Sequence, residues 1–232
     1  MTELLISEIF GPTIQGEGKS IGQTASFIRL GGCNLHCVWC DTPYTWDASR
    51  YDLREELTKI DIREIASKIT SEGLVVISGG EPLLQPDGLI ELIGILVAEG
   101  HRIEIETNGT QPPLIGLGRS VSPYVDYNVS PKLAHAGDSR ADRINSNLQK
   151  FVMIQSAIFK FVVQNQIQLE EVEEIARVYE IDKTRVWIMP EGTDQETHKR
   201  IADETLTTVI KRFGWDWTPR LHINYWGDVR GK

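Results

Sequence analysis

Cysteine is scarce in this chain, three in 232 residues, an odd number that cannot close a disulfide framework without a remainder. Basic charge is in deficit too. The 24 lysines and arginines face 33 aspartates and glutamates, for a net charge of -9, which excludes the broad basic face that nucleic-acid binding needs. No apolar run approaches the length of a bilayer span, so no membrane partner is expected. The opening MTELLISEIFGPTIQ has no basic segment followed by an apolar stretch and a small-residue cleavage site. No secretory signal is expected, and the cytoplasm is the default compartment. Repeats, low-complexity tracts and long like-charge runs are also lacking, and the length favours one domain over residues 1–232.

What is present is a rhythm of short β-branched runs and helical stretches. TASFIRL at 24–30, LVVIS at 74–78, RIEIE at 102–106, YVDYNV at 124–129, IFKFVV at 158–163, RVWIM at 185–189 and RLHI at 220–223 read as strands. Between them Asp61 with Glu64 suggests a capping box, Gly100 suits a helix end, and LEEVEEIARVYE from Leu169 carries an apolar stripe at helical spacing. The alternation predicts an α/β fold with parallel strands, open or closed as a barrel, whose ligands gather at the strands' carboxyl ends. Polar or glycine-rich sequence follows most of these strands: Cys33 to Cys40, Ser78 to Pro82, Thr107 to Gly109, Ser130 to Lys132, Gln164 and Pro190 to Gly192.

All three cysteines fall in Cys33-Asn-Leu-His-Cys37-Val-Trp-Cys40. A structural zinc or an ordinary 4Fe-4S cluster wants four protein ligands, so three thiolates leave one metal position open. A zinc site completed by His36 or a distant histidine is the plainer alternative. In Ser78-Gly-Gly-Glu-Pro82 the glycines let the backbone approach a ligand and the Glu81 carboxylate suits an ammonium, although a tight turn uses the same residues. Glu104 and Glu106 share one strand face, either solvated at an edge or turned toward ribose hydroxyls or an amino group. Ser130-Pro131-Lys132 projects a hydroxyl and an ammonium from a fixed turn.

The C-x3-C-x2-C spacing with an aromatic residue, Trp39, before the last cysteine resembles the radical S-adenosylmethionine superfamily over most of the chain. That resemblance implies a single-domain partial or modified (β/α) barrel, one 4Fe-4S cluster per chain on Cys33, Cys37 and Cys40, and S-adenosylmethionine as cosubstrate. Its S-adenosylmethionine contacts would fall on Trp39, Asp41, Gly80, Glu81, Glu106, Ser130, Pro131, Lys132 and Gln164.

Three further runs, Phe10-Gly-Pro-Thr-Ile-Gln-Gly-Glu-Gly18, Phe27-Ile-Arg-Leu-Gly-Gly-Cys33 and Cys40-Asp-Thr-Pro-Tyr44, resemble the 7-carboxy-7-deazaguanine synthase family. The resemblance implies a lyase that contracts the ring of 6-carboxy-5,6,7,8-tetrahydropterin to 7-carboxy-7-deazaguanine with loss of ammonia, a step of queuosine and related deazapurine biosynthesis. Ile14, Gln15 and Gly16 would border the pterin, Arg29 would bind its carboxylate or instead satisfy a structural carboxylate, and Glu17 would be a substrate contact or a loop charge. Ser78 stands where the family usually has threonine and keeps the hydroxyl. Thr42 would ligate Mg2+, or simply form a turn. Flavodoxin or ferredoxin is the implied electron donor and a homodimer the implied assembly. The tail from His222 to Lys232 is expected to help close the site, with no residue assigned. Two other readings stand beside this one, a glycyl-radical enzyme activating enzyme with the same cysteine spacing and a zinc-stabilised binding module.

Overall fold

A computed structural model describes residues 2–70 and 72–231. Its strands form one sheet in the order β3-β1-β2-β4-β5-β6-β7-β8-β9. These are β1 Glu3–Ile14, β2 Thr24–Leu30, β3 Thr58–Asp61, β4 Leu74–Gly79, β5 Arg102–Thr107, β6 Val125–Val129, β7 Ile158–Val163, β8 Val186–Pro190 and β9 Asp216–Trp217. From β2 onward each neighbouring pair is parallel, while β1 runs antiparallel to both β2 and β3. The outermost strands β3 and β9 do not pair, so the sheet curves into a partial barrel and does not close.

Period-2 alternation gives this sheet two different faces. Ile28, Leu30, Val75, Ile77, Ile103, Ile105, Phe159, Phe161 and Ile188 face the main core, where helices Pro86–Ala98 and Gln166–Val178 bury Leu89, Leu92, Ile93, Leu96, Leu169, Val172 and Ile175. The opposite register carries Arg29, Ser78, Glu106 and Lys160 into the barrel, where each lines a cavity of about 730 Å³. Below it a small apolar plug of Ala25, Phe27, Leu74 and Val76 fills the narrow end.

The expected strands from residue 24 to residue 190 are all present within a residue or two. RLHI at 220–223 is not a strand: Leu221–Trp226 is helical. Four alternating residues cannot fix a period, and here Arg220 in extended backbone acts as the N-cap while Gly227 at φ 71° ends the helix. Strand β1 was not among the expected strands; its Gly11-Pro12 sits where the β1–β2 register shifts between Phe10 and Thr13, a bulge position that tolerates proline. Asp61 caps helix Ile62–Ser67 through Arg63 N–H alone, whereas the full capping box is Asn165 with Gln168. Among the described residues no helix is long and apolar enough to cross a membrane.

Candidate active site

The cysteine loop leaves β2 through Gly31 and Gly32 and is held at both ends. Gly32 N–H donates to Thr45 O at 2.7 Å and Val38 N–H to Ala136 O at 2.9 Å. Leu35, Cys37 and Ala136 form a small buried cluster against which Cys33, Trp39 and Cys40 pack. All three thiols are free. Two N–H groups already point at sulfur, Leu35 N toward Cys33 Sγ at 3.5 Å and Trp46 Nε1 toward Cys40 Sγ at 3.4 Å, the kind of donor that tunes iron–sulfur ligands.

Burial pushes the Cys33 thiol up to about 12 and the Cys37 thiol up to about 11, the latter only partly offset by Lys132. Left alone, Cys33 and Cys37 keep their protons. Metal binding supplies the missing positive charge and displaces them. Three thiols on one loop, with N–H donors aimed at two of them, suit an iron–sulfur group.

Most of the expected site residues share the cavity. Its wall includes the three cysteines, Trp39, Asp41, Thr42, Gly80, Glu106, Ser130 and Lys132, together with Ile14, Gln15, Glu17, Arg29 and Ser78. Lys132 Nζ donates to Ser130 Oγ at 3.0 Å and lies 5.5 Å from the Trp39 ring centroid. Thr42 Oγ1 is 3.8 Å from Cys40 Sγ. Gln15 Nε2 spans both strand carboxylates, Glu104 at 2.7 Å and Glu106 at 3.1 Å, and Ser78 Oγ donates to Glu106 at 3.0 Å. Glu104 is buried, and desolvation raises its carboxyl above the ordinary range.

Four expected residues stand elsewhere. Glu81 is fully buried, and its carboxylate accepts from Leu83 N at 3.0 Å, Thr107 Oγ1 at 2.8 Å and Asn108 N at 2.7 Å. Those three donors tie the β4 loop to the β5 loop, with two on Oε1 and one on Oε2, so most of its acceptor capacity is spent inside the fold. The two glycines before it approach the chain's own backbone as well as the cavity: Gly80 N donates to Leu30 O at 3.1 Å and Glu81 N to Gly32 O at 2.8 Å. Gly16 packs under His222, Pro131 is buried behind Ser130, and Gln164 donates to Glu191 at 2.9 Å behind the wall.

A network that the sequence did not disclose joins several residues of the cavity wall. Arg220 Nε donates to Glu17 at 2.9 Å, another of its nitrogens bonds Asp41, and a third donates to Gly192 O at 2.8 Å. Lys160 bonds the other Glu17 oxygen, and His222 stands 3.9 Å away. Burial pushes the Glu17 carboxyl up, but Lys160, Arg220 and His222 outweigh it and hold Glu17 well below the ordinary value. Lys160 carried a signal in sequence, as the only charge inside the apolar run IFKFVV. Arg220 carried none. The tail, Asp228 to Gly231, also reaches the cavity wall, while Trp226 is 42% exposed and tilts against Tyr225.

The family model of the radical SAM superfamily matches residues 27–198. A curated 7-carboxy-7-deazaguanine synthase of Pyrobaculum aerophilum is 40% identical over 98% of this chain and 96% of its own length. One of Rhodopirellula baltica is 34% identical over 99% of this chain and 89% of its own. A crystal structure of QueE from Escherichia coli shares the fold with a TM-score of 0.68 at 24% identity, covering 94% of this chain and 93% of that one. Three free cysteines at one pocket wall, on an open parallel barrel and with relatives of this kind along the whole chain, place it in the radical S-adenosylmethionine superfamily and, within that, in the 7-carboxy-7-deazaguanine synthase family.

Proposed function

We propose that the chain converts 6-carboxy-5,6,7,8-tetrahydropterin to 7-carboxy-7-deazaguanine with release of ammonia. The observation that carries this reading is Arg29. It stands on the cavity wall above the stacked Phe10 and Phe27, and its buried Nε has no hydrogen-bond partner among the described residues. A planar carboxylate at the end of a flat heterocycle is the bidentate partner that such a guanidinium fits.

Cys33, Cys37 and Cys40 would hold a 4Fe-4S cluster, which when bound together with S-adenosylmethionine would supply radical chemistry for hydrogen abstraction. Trp39, Asp41, Gly80, Ser130 and Lys132 position S-adenosylmethionine, and Glu106 stands ready for a hydroxyl or amino group. Gln15 and Ser78, both bonded to Glu106, orient the pterin, and Glu17, kept ionised by its two cations, accepts from a ring N–H. The tail at the cavity mouth limits water, which protects a reactive intermediate. Thr42, whose hydroxyl lies beside Cys40, would hold Mg2+, which would help orient the substrate there. An external flavodoxin or ferredoxin as electron donor, a homodimer and a cytoplasmic setting rest on the family resemblance and on thiols that must stay reduced.

The test is anaerobic turnover of the pterin with S-adenosylmethionine, reductant and Mg2+, followed by mass detection of a product lighter by ammonia. A fully iron-loaded protein that gives no such product refutes the substrate. Thr42→Ala is expected to leave iron content unchanged while raising the Mg2+ concentration for half-maximal turnover at least about tenfold. An unaltered Mg2+ titration removes Thr42 from the metal site.

A further inference from the structure

The mouth of the cavity holds one carboxylate between two arginines. Glu8, on β1, is mostly buried; its Oε1 accepts from Arg230 Nε at 2.5 Å but stands 3.7 Å from Arg29 Nε. The second distance is outside hydrogen-bond range, in accord with the unpartnered Arg29 Nε. Arg230 is anchored further by Glu56 at 2.9 Å and lies 3.9 Å from the centroid of the Tyr44 ring. Arg29, Tyr44 and Arg230 all line the cavity.

A single carboxylate serving two guanidiniums is a competition. Arg29 and Glu8 sit opposite one another across the β1–β2 pair, so both are fixed by the sheet, whereas Arg230 belongs to the tail and is 46% exposed in its side chain. With Arg230 seated, Glu8 is drawn to the tail and the guanidinium of Arg29 is left with donors to spend. With Arg230 gone, the same carboxylate, 3.7 Å from Arg29 Nε, is free to bond Arg29 and competes with any anionic ligand.

We propose that Arg230 is a positioning residue that frees Arg29: by engaging Glu8, the seated tail leaves Arg29 open to the carboxylate of the substrate, so closing the mouth and arming the anion site are one event. This rests on the reading of Arg29 as the carboxylate site, and the test separates the two ideas.

Equilibrium dialysis of 6-carboxypterin, an oxidised and unreactive probe, is carried out on the cluster-loaded protein with S-adenosylmethionine present. Arg230→Met is expected to weaken binding about tenfold, the loss of roughly one charge-assisted hydrogen bond at Arg29. Adding Glu8→Gln removes the competitor, and the double variant is expected to recover to within about threefold of the parent. A tail that merely packs predicts no rescue, because Glu8→Gln then removes a second anchor. A double variant as weak as Arg230→Met, or an Arg230→Met protein that binds like the parent, overturns the coupling. An Arg29→Met protein that binds like the parent overturns the carboxylate reading itself and the coupling with it.

Discussion

Arg220→Met is expected to destabilise the folded chain by roughly 3–5 kcal/mol, the usual consequence of removing one partner of a buried ion pair. Methionine fills much of the arginine's volume, so the loss is chiefly of charge. Glu17 keeps Lys160, but Asp41 loses its bonded cation and Gly192 O loses a donor. Because Arg220 joins the N-terminal loop, the cysteine loop and the segment after β8, turnover is expected to fall by more than about a hundredfold even where the chain folds, since small misplacements at a reacting centre have that effect.

The pH dependence follows from the direction of the shifts. Glu17 and Asp41 both titrate below their ordinary values of 4.5 and 3.8. Carboxyls depressed in the folded state contribute stability that is fully present above the unfolded values and is lost as pH falls through the folded ones. The difference between parent and Arg220→Met is therefore expected to be largest near neutral pH and to shrink below about pH 4.5. Glu81 and Glu104, raised by burial, shift in the opposite sense, but they are common to both proteins and drop out of the comparison. Urea midpoints measured anaerobically from pH 7 to pH 3 give the answer, and a constant gap across that range contradicts the assignment.

Gly79→Ala is expected to be of similar severity for a different reason. A Cβ at Gly79 would lie 2.2 Å from Leu30 O and 2.4 Å from Leu30 N, at a φ of +137°. Both neighbours are backbone of the adjacent strand, so nothing flexible can yield. Overpacking of this kind costs about 1–3 kcal/mol and the unfavourable φ about 1–3 more, against a total stability of order 5–15 kcal/mol. The two strands must separate where β2 enters the cysteine loop, so iron incorporation is expected to fall with stability. Gly94, inside helix Pro86–Ala98 with nothing within 4 Å of its Cβ position, supplies the control. Gly94→Ala is expected to raise stability by up to about 1 kcal/mol through helix propensity. A Gly79→Ala protein with the parent's urea midpoint and iron content shows that the strands can part without loss.

Local regularities are the part that the sequence by itself determined. Strands β2 and β4 to β8 were legible because alternation has a period of two and needs only a handful of residues to declare itself. The cysteine loop was legible because all three ligands fall within eight residues. Ser78, Glu106, Ser130 and Lys132 were legible as cavity residues because a parallel sheet collects its ligands at the strands' carboxyl ends.

Tertiary structure alone decided which polar groups remain free. Glu81 looks in sequence like a carboxylate awaiting an ammonium, and only the fold shows that it also accepts from Leu83 N, Thr107 Oγ1 and Asn108 N. Arg29 looks like many strand arginines, and only the fold sets it 3.7 Å from a Glu8 oxygen that is bonded to Arg230, 222 residues further on. Arg220 meets Glu17 across 203 positions and Asp41 across 179. Separations of that size leave no periodic trace, because a buried charge network is specified by where folding delivers each end of the chain, and the pattern along the chain records only what near neighbours must do.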